Sequence, residues 1–294
     1  MANQDQFQIG LLQLRSSPDS RLNLKKHLEG IEEAARRGAQ IICLQELFLT
    51  PYFCQVQDPD LFELAESIPG PTTDALGAVA KKCSVVVIGS LFEKRAPGVF
   101  HNTAVVLGPD GNLIGIYRKM HIPDDPLYFE KYYFTPGDLG FKVFPTPFAK
   151  IGVLICWDQW FPEGARLTAL QGAEILFYPT AIGWHPKEKE AFGKMQTEAW
   201  LTMHRAHSIA NGIPVAAVNR VGFEANPPQE GLEFWGNSHI LGPFGNYLSH
   251  ANHQNEEILV APCSRQAMDE TRRNWPFFRD RRIDYYSDLN KRWK

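Results

Sequence analysis

Three residues with complementary chemistry each end an apolar run: Glu46 after IICLQ, Lys119 after LIGIYR, and Cys156 after IGVLI. A carboxylate, an ammonium and a thiol are the parts of a nucleophilic site in which the acid moves protons and the cation steadies developing negative charge. Each has a bland alternative when taken alone. Free cysteine is among the most buried residue types, and isolated charges mostly sit at the surface. The strand ends change that balance, because a charge at the mouth of a buried strand is costly without a partner. The partners at hand are each other and the thiol.

The flanking pattern supplies such mouths. Residues 7–14 alternate as a strand, 19–37 carry Leu24, Leu28, Ile31 and Ala35 at helical spacing with Gly38 beyond the end, and 41–45 form a short strand that runs into Glu46. A helix over 73–82 leads to a strand over 85–91. Segments 102–107 and 112–117 flank Pro109-Asp110-Gly111 as a hairpin whose exit carries Lys119. The order then recurs. A strand over 151–155 ends at Cys156, and a helix over 162–171 has Pro162 in its first turn. A strand over 175–178, a long helix over 190–210 and strands over 214–219, 238–241 and 258–261 complete it. Two similar halves without a Pro/Gly/Ser linker predict one α/β domain with helices packed on sheets and reactive groups at strand ends. Residues 272–294, which include RRNWPFFRDRRIDYYSDL, mix arginines and aromatics beyond the last expected strand; they read either as a solvated end or as an arm on another subunit.

Composition excludes several classes. The 294 residues, 44% of them hydrophobic, can bury a large core. A formal net charge of −3 offers no basic footprint for nucleic acid or an anionic membrane. No apolar run approaches the roughly 20 residues of a membrane span. The opening MANQDQFQIG lacks the basic and apolar regions of a signal peptide, so a cytoplasmic protein with a small-molecule partner is expected. The five cysteines form no close pairs, which argues against a disulfide framework. His204/His207 and His250/His253 have neither cysteines nor a glutamate motif beside them, and no metal is expected. A papain-like thiol protease is disfavoured, because its local cysteine signature is missing and Cys156 ends a strand.

The segments LQELFLTPYF, YRKMHIPDD and ICWDQWFPE resemble the three signature blocks of the carbon-nitrogen hydrolase (nitrilase) superfamily, and the likeness extends through YPTAIGW, AVNRVG, FWGNS and the FRDRR tail. The resemblance implies a four-layer αββα sandwich in one domain over residues 1–271, with 272–294 as a C-terminal arm packed on another subunit of a homo-oligomer. It also implies a cofactor-free cysteine amidohydrolase. Glu46 would be the general base, Lys119 the electrostatic stabiliser, Cys156 the nucleophile, and Glu130 a second glutamate beside the lysine. The backbone N–H of Trp157 would share the oxyanion with Lys119. Family members that act on N-carbamoyl amino acids carry arginines soon after the cysteine, where this chain has Gln159 and Trp160. A small ureido substrate with a cationic tail is therefore expected, held by an acid for which Asp125 and Glu190 are the leading candidates. The alternative is a related amidase or ureidopropionase-type enzyme acting on another small amide. A catalytically silent binding protein on the same fold is the rival from another class.

Overall fold

The computed structural model describes residues 5–293; residues 1–4 of the expected domain and Lys294 of the expected arm lie outside the described residues. The first half runs β1 (Gln6–Gln13), α1 (Ser20–Arg36), β2 (Ile41–Leu44), α2 (Pro71–Cys83), β3 (Val86–Ala96), β4 (Val99–Leu107) and β5 (Leu113–Arg118). The short helix α3 (Glu130–Tyr133) follows, and the second half opens with β6 (Val143–Pro145), β7 (Lys150–Val153), α4 (Pro162–Leu170), β8 (Ile175–Pro179) and β9 (Gly183–Trp184). It continues through α5 (Lys189–Asn211), β10 (Val215–Val218), β11 (Val221–Glu224), β12 (Leu232–Trp235), β13 (His239–Leu241) and β14 (Tyr247–His250). The chain returns to the first sheet with β15 (Glu257–Ser264) and closes with α6 (Arg265–Asn274) before the tail.

Local chemistry explains the boundaries. Asp19 caps α1 by accepting from Arg21 N at 2.9 Å, and Gly38 beyond the helix takes φ +95°, a conformation that side chains disfavour. Pro71 and Pro162 each open a helix, where a missing N–H costs nothing.

The two sheets repeat one topology. The first has the order β15-β1-β2-β3-β4-β5 and the second β6-β7-β8-β10-β13-β14, with the central three strands parallel in both and the outer ones antiparallel. Even the register repeats: Ile9 pairs with Ile41 as Ile151 pairs with Ile175. Side chains alternate between faces. Ile9, Leu11, Ile41 and Ile88 join Ile151, Val153, Phe177 and Val215 in the core between the sheets. Leu12, Ile42 and Val87 pack outward on Ile31 and Ala34 of α1 and Leu76 of α2. With α4 and α5 against the far side of the second sheet, the layers are αββα, as the family resemblance implied. Among the described residues no helix is long and apolar enough to cross a membrane.

A small third sheet, β11-β12-β9, lies outside the expected pattern, and so do β6, β14 and α6. The expected boundary between residues 271 and 272 falls inside α6, a polar helix that buries only Met268 and so lacks an apolar stripe to read.

Candidate active site

Glu46 and Lys119 follow the ends of β2 and β5 closely, but Cys156 does not leave its strand directly. β7 stops at Val153, and Cys156 opens a tight 3₁₀ turn, Cys156–Trp160, with its own φ at +41°. A non-glycine residue in this region is strained and is held there only by its surroundings. The holding group is Asp158. Its N–H donates to Ile155 O at 3.0 Å, and its carboxylate accepts from Ile155 N at 2.9 Å. The turn lifts the thiol out of the sheet toward a cavity, with Sγ 3.7 Å from Ala181 O.

The charged groups are fully enclosed. Lys119 Nζ donates to Glu46 Oε1 at 2.8 Å and to Glu130 Oε2 at 2.6 Å, with all three side chains inaccessible to solvent. Asn102 Nδ2 donates to Glu46 Oε1 at 2.7 Å, and the Tyr52 hydroxyl donates to Glu130 Oε1 at 2.6 Å. Glu46 Oε2 is left buried without a hydrogen-bond partner among the described residues, which is a costly arrangement unless a proton donor meets it during the reaction. Burial on its own would depress the lysine, but the Glu130 and Glu46 charges outweigh it and hold the ammonium well above its usual range. Burial raises the Glu130 carboxyl to about 7, with Lys119 opposing. Burial first, and Glu46 second, push the Cys156 thiol well up, while Lys119 pulls it down.

Behind the acids stands a residue whose role the sequence did not disclose. Arg220, completely buried, donates through Nη2 to Glu46 O at 2.9 Å and Leu47 O at 2.6 Å, and through Nη1 to Thr50 O at 2.9 Å. It also pairs with Glu224, which accepts from Tyr52 N at 2.6 Å. Arg220 thus fastens the loop that carries both Glu46 and Tyr52. Tyr52 and Arg220 lie within the family-like segments LQELFLTPYF and AVNRVG, which gave them no role, and the sequence signal for Asn102 was polarity beside an apolar run.

The thiol opens on a cavity of about 680 Å³. Its wall includes Trp157, Trp160, Tyr128 and Trp235, with Asp125, His185 and Glu188 as its titratable members besides Cys156 and Tyr128. Among the described lining residues there is no lysine or arginine. Asp125 and Trp157, two of the residues expected to meet substrate, line this cavity. Glu190 does not: it sits exposed in the first turn of α5, outside the wall, and Glu188 at the N-cap lines the cavity instead. Two residues on a helix turn a side chain by roughly 200°, so an acid at 190 faces away when 188 faces in. Gln159 is also turned inward, its side-chain oxygen accepting from Trp200 Nε1 at 2.7 Å.

The profile of the carbon-nitrogen hydrolase family matches residues 8–273. The chain is 44% identical to N-carbamoylputrescine amidase of Arabidopsis thaliana, over 96% of this chain and 94% of that protein. It is 39% identical to a citrullinase of Francisella tularensis over the full length of both. A solved carbon-nitrogen hydrolase from Helicobacter pylori superposes with a TM-score of 0.95 at 45% identity, covering 98% of this chain and 100% of that one. The chain belongs to the carbon-nitrogen hydrolase family, and it is a hydrolase of linear carbon-nitrogen bonds.

Proposed function

We propose that this protein hydrolyses N-carbamoylputrescine to putrescine, ammonia and carbon dioxide, with Cys156 as the nucleophile. The observation that carries the substrate is the cavity wall, which offers Asp125 and Glu188 to a distal ammonium and, among its described residues, no lysine or arginine to a carboxylate. Its likeness to the plant N-carbamoylputrescine amidases supports the same reading.

The chemistry follows from the geometry. The thiol is neutral at rest, so its proton leaves as it attacks the ureido carbon, and the unpartnered Glu46 Oε2 is the acceptor. The new oxyanion is met by Lys119 and by the N–H of Trp157 at the start of the 3₁₀ turn. Glu46 passes its proton to the departing nitrogen, ammonia leaves, and a thiocarbamate of putrescine remains on Cys156. Water, deprotonated by Glu46, then adds to that carbonyl and the thiol leaves with the proton. The released carbamic acid decomposes to putrescine and carbon dioxide. Glu130 keeps Lys119 in place throughout.

Citrulline is the second reading, favoured by the full-length likeness to a citrullinase. Citrulline differs by an α-carboxylate beside the amine. That charge, brought against an acidic wall, costs on the order of one to a few kcal/mol at an effective dielectric near 20, or roughly tenfold to a hundredfold in specificity. Ammonia release from N-carbamoylputrescine, citrulline and N-carbamoyl-β-alanine tests this, with the first expected to lead by that margin. If either carboxylate-bearing compound leads, the polyamine assignment falls and the amidohydrolase stands.

The arm is part of the same proposal. Phe278 is anchored on its own subunit between Arg166 and Arg272, whose guanidinium carbons lie 4.7 and 5.0 Å from the ring. Beyond it, Ile283, Tyr285 and Leu289 are exposed, and such an apolar strip suits a second copy of the chain in a homo-oligomer. The five cysteines are all free, which suits a reducing compartment such as the cytoplasm.

A further inference from the structure

Asp158 makes more contacts than its turn requires. A turn-capping aspartate needs one oxygen and one backbone donor. Here both oxygens, in a side chain with no solvent exposure, are engaged by four donors. Oδ2 accepts from Ile155 N at 2.9 Å and from the Tyr117 hydroxyl at 2.7 Å. Oδ1 accepts from His121 N at 3.0 Å and lies 2.7 Å from His121 Nδ1. Ile155 immediately precedes the nucleophile, while Tyr117 and His121 stand two residues before and two residues after Lys119. One carboxylate therefore touches the Cys156 turn and both flanks of the lysine segment.

Among the described residues no arginine or lysine pairs with this acid, so its hydrogen bonds, the one with His121 included, offset its burial; bonds to a charged acceptor are about twice as strong as neutral ones. The groups facing it are Tyr117 at the end of β5, His121 beyond it, and Tyr178 of β8. His121 is in turn fixed by stacking on Phe161, centroids 3.8 Å apart and planes 5° from parallel. Only a carboxylate fits this role: an asparagine presents one accepting oxygen and would turn an NH₂ toward two of the donors.

We infer that Asp158 is a positioning residue, a staple that fixes the separation between the Cys156 sulfur and the Lys119 ammonium and so the gap in which the oxyanion forms. This inference rests on the reading of Cys156 as nucleophile and Lys119 as stabiliser. It assigns Asp158 no contact with substrate. A displacement of about 1 Å in such a gap is enough to cost roughly a hundredfold in rate.

The test combines turnover with the pH dependence of Cys156 alkylation by iodoacetamide, located by mass spectrometry, in Asp158→Asn and Tyr117→Phe. Glu46, Lys119 and Glu130 are the charges that face the thiol, and Lys119 is the one that pulls its ionisation down. With the staple cut, the alkylation midpoint should move to higher pH and kcat should fall about a hundredfold in Asp158→Asn, while KM stays within about a factor of two. Tyr117→Phe, which removes one of the four donors and keeps the ring, should shift both in the same direction by a smaller amount. A merely structural aspartate would lower the melting temperature and leave the midpoint at its parent value. A folded Asp158→Asn with parent midpoint and parent kcat overturns the inference. If that variant does not fold, Tyr117→Phe decides, and its parent-like midpoint and kcat overturn it equally. Turnover by Cys156→Ala would instead strike at the proposed function, which keeps the two failures apart.

Discussion

At the scale of residues, the site is built on an acid with one oxygen occupied and one free. Glu46 Oε1 is held by Lys119 and Asn102, and Oε2 is the atom that can take a proton from the thiol or from water. Glu46→Gln should therefore lose about 10²- to 10⁴-fold in rate, in acylation and deacylation alike, as single-turnover kinetics would show. Rapid acylation by that variant would remove Glu46 from the first step. Lys119→Arg should lose at least about a hundredfold, because a planar guanidinium is larger and differently aimed than the ammonium wedged between two carboxylates. Glu130 supplies a pH signature. Its carboxyl ionises near 7 in the folded protein against about 4.5 when unconstrained, so the unfolded chain releases the proton first as pH rises. Relative to Glu130→Gln, the parent should lose stability between about pH 4.5 and 7 and level off above, a change on the order of a few kcal/mol in urea unfolding. A constant difference between the two proteins across that window would contradict the raised value. Glu46, Lys119 and Cys156 were legible because each ends an apolar run. Arg220 and Asn102 were not, because a hydrogen bond between residues 220 and 46 leaves no local pattern.

At the scale of elements, the two halves use one scaffold for different parts. Gly10 of β1 and Gly152 of β7 occupy equivalent register positions, each beneath a helix. A Cβ at Gly10 would come within 2.9 Å of Ala39 Cβ, and one at Gly152 would overlap Thr168 Cγ2 and lie 2.8 Å from Leu176 Cδ2. The chain leaves β1 at Leu14, whereas the equivalent position after β7 is Cys156. Alanine at either glycine should cost about 1–3 kcal/mol by overpacking, read from urea midpoints. Only Gly152→Ala should also depress kcat, since only β7 carries the nucleophile. Equal activity losses in the two variants would mean that the halves are mechanically coupled through the core rather than acting as separate carriers. The main strands of both sheets were readable because they are apolar runs or, in β1, an alternating pattern. β9 and β12 were not: two and four residues long, they exist as strands only because they pair with each other and with β11, and that pairing brings Trp184 and Trp235 together, with Trp235 in the cavity wall. The strand expected to reach Ile155 stops at Val153, because the Asp158 carboxylate takes the Ile155 N–H away from the ladder.

At the scale of the molecule, the repeat made one α/β domain of two similar halves legible and the family resemblance added the layer order, while the surface that meets other molecules was not legible, since a tail has no periodicity until something covers it. The structure locates where the body ends. The last turn of α6 is tied to the body by Arg272, which donates to Asn211 O at 3.3 and 3.2 Å, and Phe278 is clasped between Arg166 and Arg272. From Arg279 onward the chain makes short 3₁₀ turns with large apolar side chains in the open, Ile283 at 72%, Tyr285 at 73% and Trp293 at 91% exposure. Ordering such a segment costs backbone entropy of about 1–2 kcal/mol per residue, which its own few contacts do not offset. A surface on another copy would offset it, and the exposed Leu167 and Leu170 on α4 extend the apolar area available for that contact. Deleting residues from Arg279 onward should therefore lower the assembly mass measured by light scattering while leaving the anchored Phe278 and the active-site cavity in place. If the truncated protein keeps both the parent mass and the parent activity, the tail is a solvated end and the subunits, if they associate, do so through another face.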